Sequence, residues 1–496
     1  MTSPRRLSLS ALVLFSISFV ASAQAQQRAP SRDHQLLTLR AERPAEPPGP
    51  GRAALLGVGP GSLLFSMTGP DNAPIVRALP DVTGDGKDEV IVGIDESGVP
   101  NIFCLDGASV GTADVVWSIQ TADGVSGGSP YGDDCLALAS DSDGNGAMNL
   151  LAGTAWGGRT AYHLDGGTGA ILWRFDTYQT AESGWVYSLT ELNDTNGDGE
   201  NDYAFATGSF SDGVYLIDGA STGGGQANFR WRWYAGDASF TVRNLGDANG
   251  DGKHDVLAAV GEDVDDLVAL SGGSLNGSVL WTYEPATSVW AAGLLPDITG
   301  DAIPEALAVL WTVDGSAIRC VNGATGAFLW ASTAVGAYGM MVDALPDVTG
   351  DGKAEVIVSS WENAVTVLSG ADGSLVWKTF VGTTNGGDVW TARAIGDLDG
   401  DGFDDVVAGS FDYHVYALSG ATGEIFWAYD TGNRVFSVHP VGDLDGDGRP
   451  EVAAGTQDTN SSVVLYVLDG NAGIALSIFA DGFETGDTSA WGVVVP

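Results

Sequence analysis

One acidic stretch recurs at nearly constant spacing along the chain, and this repetition limits the fold more than any other feature. GDLDGDGFDD at 396–405 is followed by GDLDGDGRPE at 442–451. The intervals between successive copies are 60, 53, 53, 50, 50, 50 and 46 residues. A period of about fifty residues indicates eight copies of one supersecondary unit rather than a series of separate domains. The first Asp of the stretch stands at Asp81, Asp141, Asp194, Asp247, Asp297, Asp347, Asp397 and Asp443.

Each unit contains four short apolar runs. The first precedes the acidic stretch, as in WTARAIG, and the second follows it, as in DVVAGS. The third ends in a turn, as in VYALSGATG, and the fourth carries Trp, as in EIFWAYD. Gly-rich turns between short alternating runs predict strands. Four strands in each of eight units predict an all-β fold, a single β-propeller with eight four-stranded blades, and seven blades is the alternative.

The ends of the chain predict ring closure and export. SLLFSMTG at 62–69 resembles a fourth run without its three partners, so it is predicted to pair with the last blade and close the ring. Arg5 and Arg6, an apolar run and small residues up to Ala25 predict a signal peptide over 1–25. A Pro/Gly-rich linker over 26–60, the propeller over 61–475 and a tail over 476–496 complete the predicted organisation. We therefore expect a secreted, periplasmic or cell-surface monomer with no transmembrane segment after signal cleavage.

The tail contains IFADGFETGDTSAW and breaks the repeat. It resembles a short tail at the ends of exported proteins of Gram-negative bacteria. This resemblance implies a sorting tag, and the alternative is a simple extension packed on the last blade.

The chain is strongly acidic, with 64 acidic against 21 basic residues and a formal net charge of −43. Such a surface repels phosphate backbones, so nucleic acid is excluded as a partner, and bound cations are expected instead. Five His residues, spread singly, argue against a transition-metal site. Of the three cysteines, Cys104 and Cys135 are the nearest pair, and the sequence leaves open whether they form a disulfide or remain buried thiols.

The acidic stretches have the residue spacing of calcium loops. Oxygen-bearing side chains stand at positions 1, 3, 5 and 9, and Gly at position 6 permits a sharp turn. Position 12 is Ala408 in the seventh unit, so these loops are not EF-hands. The alternative is a set of Asx turns without metal, and the fifth loop, with Ala302 in place of Gly, is expected to be a weak site. The predicted ligands are Asp81, Thr83, Asp85, Glu89, Asp141, Asp143, Asn145, Asn149, Asp194, Asn196, Asp198, Asp202, Asp247, Asn249, Asp251, Asp255, Asp297, Thr299, Asp301, Glu305, Asp347, Thr349, Asp351, Glu355, Asp397, Asp399, Asp401, Asp405, Asp443, Asp445, Asp447 and Glu451.

Two family resemblances agree with a propeller. The DxDGDGxxD loops resemble FG-GAP or VCBS-type repeats, known from integrin α-subunit propellers and secreted bacterial proteins, over nearly all of 70–460. This resemblance implies several Ca²⁺ ions, one in each loop between a blade's first two strands, on the face opposite the usual ligand face. LSGATGEIFWAYD resembles the repeat of pyrroloquinoline-quinone (PQQ) dehydrogenases. Those enzymes hold the quinone under two adjacent cysteines, which this sequence does not contain, so no PQQ site is predicted.

Aromatic residues form two series along the repeat. One Trp in each fourth run, from Trp117 to Trp427, predicts packing between blades. A second series lies at the start of the innermost strand or after the second strand, where the residues would meet at the face away from the acidic loops. We interpret this series as a candidate ligand face, and packing against neighbouring blades is the alternative. Its committed members are Tyr187, Trp290, Trp390, Phe436, Trp156 and Trp361.

These features favour a calcium-binding propeller that acts as a binding or adhesion module for an extracellular glycan or protein. The alternative is an extracellular enzyme, either a polysaccharide lyase or a PQQ-dependent dehydrogenase. A lyase requires a basic residue near the substrate carboxylate, and the candidates on the innermost strands are Arg77, Arg243, Arg393 and His439. No Ser-His-Asp order or paired general acid and base is evident, so no catalytic residue is predicted.

Overall fold

The computed structural model describes residues 60–471 except 70–71, 74, 97, 123, 126–134, 156–157, 178–183, 209–211, 262–263, 313–316, 337, 383–386 and 458–461. The predicted signal peptide, nearly all of the linker, the C-terminal tail and Trp156 lie outside these residues. The described part folds into eight sheets. Seven have four antiparallel strands, and the eighth has five, because two short strands from the first part of the domain join its three C-terminal strands. The fold is therefore an eight-bladed β-propeller, as the repeat predicts. No helix in this part of the chain is long and apolar enough to cross a membrane.

The first four blades follow the N-terminal strand. The strands are β1 (Leu63–Thr68), β2 (Ile75–Leu79), β3 (Glu89–Gly93), β4 (Ile102–Leu105), β5 (Gly111–Thr112), β6 (Val115–Ile119), β7 (Leu136–Ala139), β8 (Asn149–Gly153), β9 (Thr160–Leu164), β10 (Ile171–Asp176), β11 (Trp185–Glu191), β12 (Tyr203–Gly208), β13 (Gly213–Ile217), β14 (Phe229–Tyr234), β15 (Ser239–Gly246), β16 (Asp255–Val260), β17 (Asp266–Leu270) and β18 (Val279–Tyr283).

The last four blades complete the ring. Their strands are β19 (Val289–Leu295), β20 (Glu305–Leu310), β21 (Ile318–Val321), β22 (Phe328–Ser332), β23 (Gly339–Leu345), β24 (Glu355–Ser360), β25 (Ala364–Leu368), β26 (Leu375–Phe380), β27 (Val389–Ile395), β28 (Asp405–Ser410), β29 (His414–Leu418), β30 (Ile425–Asp430), β31 (Arg434–Val441), β32 (Glu451–Gln457) and β33 (Val463–Leu468).

Burial differs between the strands of one blade, and the sequence pattern explains the difference. In blade 7 all six residues of β28 are buried, because both faces of a middle strand pack against neighbouring blades. Its outer strand β30 alternates, with Trp427 buried and Ile425 exposed. A strand covered on one side reads as alternating apolar and polar residues, whereas one covered on both sides reads as a continuous apolar run.

The N-terminal strand closes the ring, as predicted. Strand β1 pairs antiparallel with β33, so the last blade takes its outer strand from the start of the domain. Phe65 occupies the position of the repeated Trp and is fully buried among residues of the first and last blades. The short β5 then pairs parallel with β1, so a loop of blade 1 covers part of the outer edge of blade 8. Pairing of this edge removes a row of open hydrogen-bonding groups.

The repeated Trp residues join each blade to the next. Trp377 in blade 6 donates its indole N–H to the carbonyl oxygen of Gly420 in blade 7, at 2.7 Å. Its ring packs against Gly423, where a Cβ would lie 2.6 Å from the ring and where φ is +74°, so only Gly fits this turn without strain. The predicted packing between blades is confirmed. The same Trp to Gly hydrogen bond is made by Trp117, Trp231, Trp281, Trp330 and Trp427.

All three cysteines are buried in the hydrophobic core. Cys104 and Cys135 lie in one buried cluster between blades 1 and 2, and no disulfide joins them. Cys320 is buried in the cluster between blades 5 and 6. Burial raises the pKa of the Cys104 and Cys320 thiols far above their ordinary value, so both remain protonated at neutral pH.

We expect His163 to make the stability of the propeller depend on pH. It lies between the rings of Trp173 and Tyr203, with centroids at 5.3 and 4.7 Å, and is 1% exposed. Burial lowers its pKa to about 4, so the folded state keeps the ring neutral while the unfolded state protonates near pH 6.5. The stability associated with this neutral ring is complete above pH 6.5 and is lost as pH falls toward 4, by about 3 kcal/mol.

A His163→Leu variant should therefore lose less stability than the wild type between pH 7 and pH 4.5, by about 2 kcal/mol. Urea unfolding at several pH values measures this difference. His414, whose side chain is 33% exposed, supplies the matched control variant. Equal pH slopes in wild type and His163→Leu would contradict the prediction.

Candidate metal centres and the opposite face

The first Asp of each acidic loop organises the loop backbone. In the seventh loop Asp397 accepts hydrogen bonds from the amide nitrogens of Gly400 at 2.5 Å and Gly402 at 2.9 Å. The same two bonds, from positions 4 and 6, occur in all eight loops at 2.5 to 2.9 Å. The repeat therefore specifies one backbone conformation, which curls the loop around its own carboxylates.

The fifth loop keeps this conformation without Gly at position 6. Ala302 adopts φ of +72°, and its amide donates to Asp297 at 2.8 Å. A residue with a Cβ is strained there, so this loop has the same shape at a higher conformational cost. The prediction that it is a weak metal site stays a prediction.

The residue at position 9 is acidic in every loop except the second, where it is Asn149, and it is buried at or directly before the start of each second strand. Asp405 accepts from the amide of Leu398 at 2.7 Å and from that of Gly420, beyond the third strand, at 2.9 Å. Burial raises its pKa to about 7, and burial likewise raises the pKa of Glu451 to about 9. These carboxylates are thus costly to ionise unless a positive charge lies beside them.

Three of the loops bring three acidic residues close together. In blades 6, 7 and 8 the ligand atoms of one set all lie within 4.8 Å of one another. These sets contain only oxygen donors, which suit a hard cation such as Ca²⁺. In the other five loops the described residues form no such set of His, Cys, Asp or Glu. The three sets are Asp347, Asp351 and Glu355; Asp397, Asp399 and Asp405; and Asp443, Asp445 and Glu451.

In the third loop an arginine lies beside the buried carboxylate at position 9. Arg230, on the outer strand of the same blade, lies 2.8 Å from the Asp202 carboxylate at position 9. A guanidinium thus balances the buried carboxylate that a metal would otherwise balance. The third loop, whose predicted ligands are Asp194, Asn196, Asp198 and Asp202, therefore already holds a positive charge beside its position-9 carboxylate.

The sequence analysis missed one acidic residue that lies beside an acidic loop. Asp469, at the end of the last blade's third strand, forms a further set with Asp445 and Asp447 within 4.8 Å. Equivalent polar residues reach the loop in other blades, since Asn322 donates to Asp301 at 2.6 Å and Asp165 accepts from Asn145 at 2.8 Å. In the sequence, each of these residues could have been recognised as the polar residue before the Gly that follows the third strand of its unit. These residues are Asp106, Asp165, Asp218, Ser271, Asn322, Ser369, Ser419 and Asp469.

The candidate ligand face is mostly packed. Tyr187, Trp290, Trp390 and Phe436 are 2 to 8% exposed, and their rings contact aromatic residues of adjacent strands. Trp390, for example, stacks on Phe411 at 4.7 Å with 14° between the ring planes. These four residues therefore lie beneath the surface, where they can support surface residues but cannot contact a ligand directly.

Three other rings lie above them and are half-buried. Trp311, Trp361 and Phe411 each follow the second strand of their blade, which ends on the face opposite the acidic loops. Trp311 stacks on Trp290 at 4.3 Å and meets Trp361 edge-on at 4.7 Å. Of these three, the sequence analysis included only Trp361. All three stand 50 residues apart at the same position of units 5, 6 and 7, so this spacing was the signal that could have found Trp311 and Phe411. We call Trp311, Trp361 and Phe411 the aromatic surface.

Comparison with known proteins supports the propeller fold. The model of the λ-carrageenase β-propeller domain family matches residues 355–485, about a quarter of the chain. No curated protein matches the chain.

Solved structures resemble the whole propeller at low sequence identity. Saccharomyces cerevisiae Sqt1 aligns with TM-score 0.57 and 13% identity, over 83% of this chain and 100% of its own. Quinohemoprotein alcohol dehydrogenase from Comamonas testosteroni aligns with TM-score 0.54 and 13% identity, over 84% and 77%. BamB from Moraxella catarrhalis aligns with TM-score 0.50 and 14% identity, over 82% and 96%. At these identities the likeness shows the fold alone. The chain is thus a propeller similar to carrageenase and quinoprotein propellers.

Proposed function

We propose that the protein is an exported, calcium-stabilised propeller that binds an extracellular glycan or protein on the face opposite its acidic loops. The observation that carries the binding role is the aromatic surface. It presents three half-buried rings on a rigid layer of buried ones, and rigid aromatic rings contribute most of the contact energy in many sugar and protein interfaces. The FG-GAP-type resemblance of the loops stays a prediction.

Calcium is proposed from the acidic loops. In blades 6, 7 and 8 the carboxylates converge, and a carboxylate with raised pKa regains its ionised form when a divalent cation lies beside it. The loop residues would hold the ion, and position 9 would supply the buried ligand. The ion would stabilise the loop conformation at the start of the second strand, away from the binding face.

The binding role predicts that Trp361→Ala and Phe411→Ala weaken ligand binding about tenfold or more, because each removes a contact ring from the surface. The ligand is found first by screening glycan and protein arrays with calcium-loaded protein. Phe328→Ala is the matched control, since Phe328 is an exposed aromatic residue on the outer strand of blade 5. Unchanged affinity of both surface variants for every ligand found would overturn the assignment.

A polysaccharide-degrading enzyme is the second candidate, because the matching family model is that of a carrageenase propeller. Incubation with carrageenans and with pectic polymers, followed by assays for new reducing ends and for unsaturated products, separates enzyme from binding module.

A further inference from the structure

The turn between the third and fourth strands of blade 4 differs from its equivalents in four other blades. In blades 2, 5, 6 and 7 this turn ends in a Gly whose amide nitrogen donates to the carbonyl oxygen of the residue four positions before it, at 2.7 to 2.8 Å. The turn of blade 4, SGGSLNGS, is two residues longer than the turn SGATGE of blade 7. Its Gly277 has φ of +64° and packs under the ring of Trp231, as the other four glycines pack under a Trp ring. Among the residues that the structure describes, however, none accepts a hydrogen bond from the Gly277 amide.

Asn276, directly before this glycine, is exposed. Its side-chain carbonyl oxygen accepts a hydrogen bond from the Ser278 hydroxyl at 2.8 Å. This bond withdraws electron density from the side-chain carbonyl carbon and makes that carbon a better electrophile. A following Gly has no Cβ to hinder the approach of its amide nitrogen to the carbon. The turn therefore holds an unbonded amide nitrogen next to an activated carbonyl group.

Four other Asn-Gly pairs in the described part of the chain lack this combination, because each Gly amide donates to a carboxylate. Such a hydrogen bond must break before the amide can react, and the carboxylate also disfavours negative charge on the nitrogen. A sixth pair, at 385–386, lies outside the described residues. The four bonds run from Gly146 to Asp141 at 2.8 Å, from Gly197 to Asp194 at 2.5 Å, from Gly250 to Asp247 at 2.8 Å and from Gly323 to Glu305 at 3.2 Å.

We propose that Asn276 is a modification site, at which the side chain deamidates spontaneously to aspartate or isoaspartate. The Gly277 amide nitrogen loses its proton to water and forms a bond to the side-chain carbonyl carbon of Asn276. The bond from that carbon to the side-chain nitrogen then breaks, and ammonia leaves with a proton taken up from water. Water adds to either carbonyl group of the resulting cyclic imide and opens the ring. The reaction consumes water and releases ammonia, and nothing is oxidised or reduced.

Isoaspartate at this position would weaken the contact between blades 3 and 4. It adds a methylene group to the backbone and a negative charge directly before Gly277, where a Cβ would already lie 2.8 Å from the Trp231 ring. Trp231 also donates to the carbonyl oxygen of Gly272 in the same turn, at 3.5 Å, a long bond compared with the 2.7 Å bond of Trp377. A change in the backbone of this turn therefore acts directly on the interface between the two blades.

Peptide mapping of the full-length, calcium-loaded protein tests the site. Trypsin places the six Asn-Gly pairs on six different peptides, and the peptide with Asn276, 254–319, contains no other Asn or Gln. The protein is incubated at mildly alkaline pH, digested at intervals and measured by tandem mass spectrometry. We expect Asn276 to deamidate at least about tenfold faster than the four pairs whose Gly amide must first lose a hydrogen bond to a carboxylate. Equal rates at all five pairs would overturn the proposal.

Deletion of Ser274 and Leu275 tests the cause. It shortens the turn to the length found in blade 7 but keeps Asn276 before Gly277. The Gly277 amide should then regain the acceptor used in the other blades, which here is the carbonyl oxygen of Ser271. Deamidation at Asn276 should slow to the rate of the four bonded pairs, and an unchanged rate would contradict the proposal.

Thermal melts after the same incubation test the consequence. The melting temperature of the wild type should fall further than that of Asn276→Gln, whose longer side chain forms a cyclic imide far more slowly. Asn276→Asp adds the charge without the methylene group, so before incubation it should melt close to the wild type. An equal fall in the wild type and Asn276→Gln would contradict the effect on the interface.

Discussion

Removal of calcium should lower the melting temperature of the full-length protein by roughly 4 to 8 °C. An ion that binds only the folded state stabilises it by about 1.4 kcal/mol per site at ten times its dissociation constant. The three loops whose carboxylates converge would contribute about 4 kcal/mol, and the melting temperature of a domain of this size shifts by about one to two degrees per kcal/mol. Thermal melts in millimolar calcium and in excess EDTA measure the effect.

The double variant Asp399→Asn/Asp401→Asn distinguishes a calcium loop from a plain Asx turn. Asp401 accepts from the amide of Phe403 at 2.8 Å, a bond that Asn retains, so the turn itself is preserved. Burial and the nearby carboxylates of Asp401 and Asp397 raise the pKa of Asp399, so these groups repel one another when no ion is present. The variant should therefore melt higher than the wild type in EDTA and gain less stability from calcium.

A surface carboxylate outside the loops provides the control for this change of charge. Asp372 is exposed in a turn of blade 6 and accepts from the amide of Ser374 at 2.9 Å. Asp372→Asn should respond to calcium as the wild type does. If the loop variant and the wild type gain the same stability from calcium, the ion does not bind in this loop.

Truncation of one inter-blade Trp should cost more than any surface change. Trp377→Ala removes a buried ring, leaves a cavity between blades 6 and 7 and leaves the Gly420 carbonyl without its indole donor. A loss of about 3 to 5 kcal/mol in the free energy of unfolding is expected. Urea unfolding followed by fluorescence, with calcium held constant, measures this loss.

Two further variants separate the contribution of the indole hydrogen bond from that of the buried ring. Trp377→Phe keeps most of the ring but removes the N–H donor, so it should cost about 1 to 2 kcal/mol. Leu375 lies on the same strand and is 51% exposed. Leu375→Ala should therefore lower the free energy of unfolding by no more than about 0.5 kcal/mol. A Trp377→Ala loss no larger than that of Leu375→Ala would show that the ring does not hold the two blades together.

Much of the fold was predictable because the same pattern of strands and turns occurs eight times along the chain. The strand runs, the turn glycines and the buried Trp recur in phase, so each unit supports the assignment of the others. Closure by residues 62–69 was also predictable, since this segment has the pattern of an outer strand but no partners of its own. Predictions were poorer for which aromatic rings reach the surface: Trp311 and Phe411 stand at the same repeat position as Trp361, but the repeat does not show which rings lie above others, because that depends on contacts between blades.

The sequence by itself determined the propeller and the positions of the acidic loops, because these follow from local patterns repeated along the chain. It favoured eight blades over seven, and the structure decided that number. Only the tertiary structure decided which acidic residues converge, that Asp469 joins Asp445 and Asp447, and that Trp290 and Trp390 lie beneath other rings. It also decided that Arg77, Arg243 and Arg393 surround one cavity. Closure of the ring brings together residues from different blades, and the side chain at one position in each blade then defines a site that no single repeat contains.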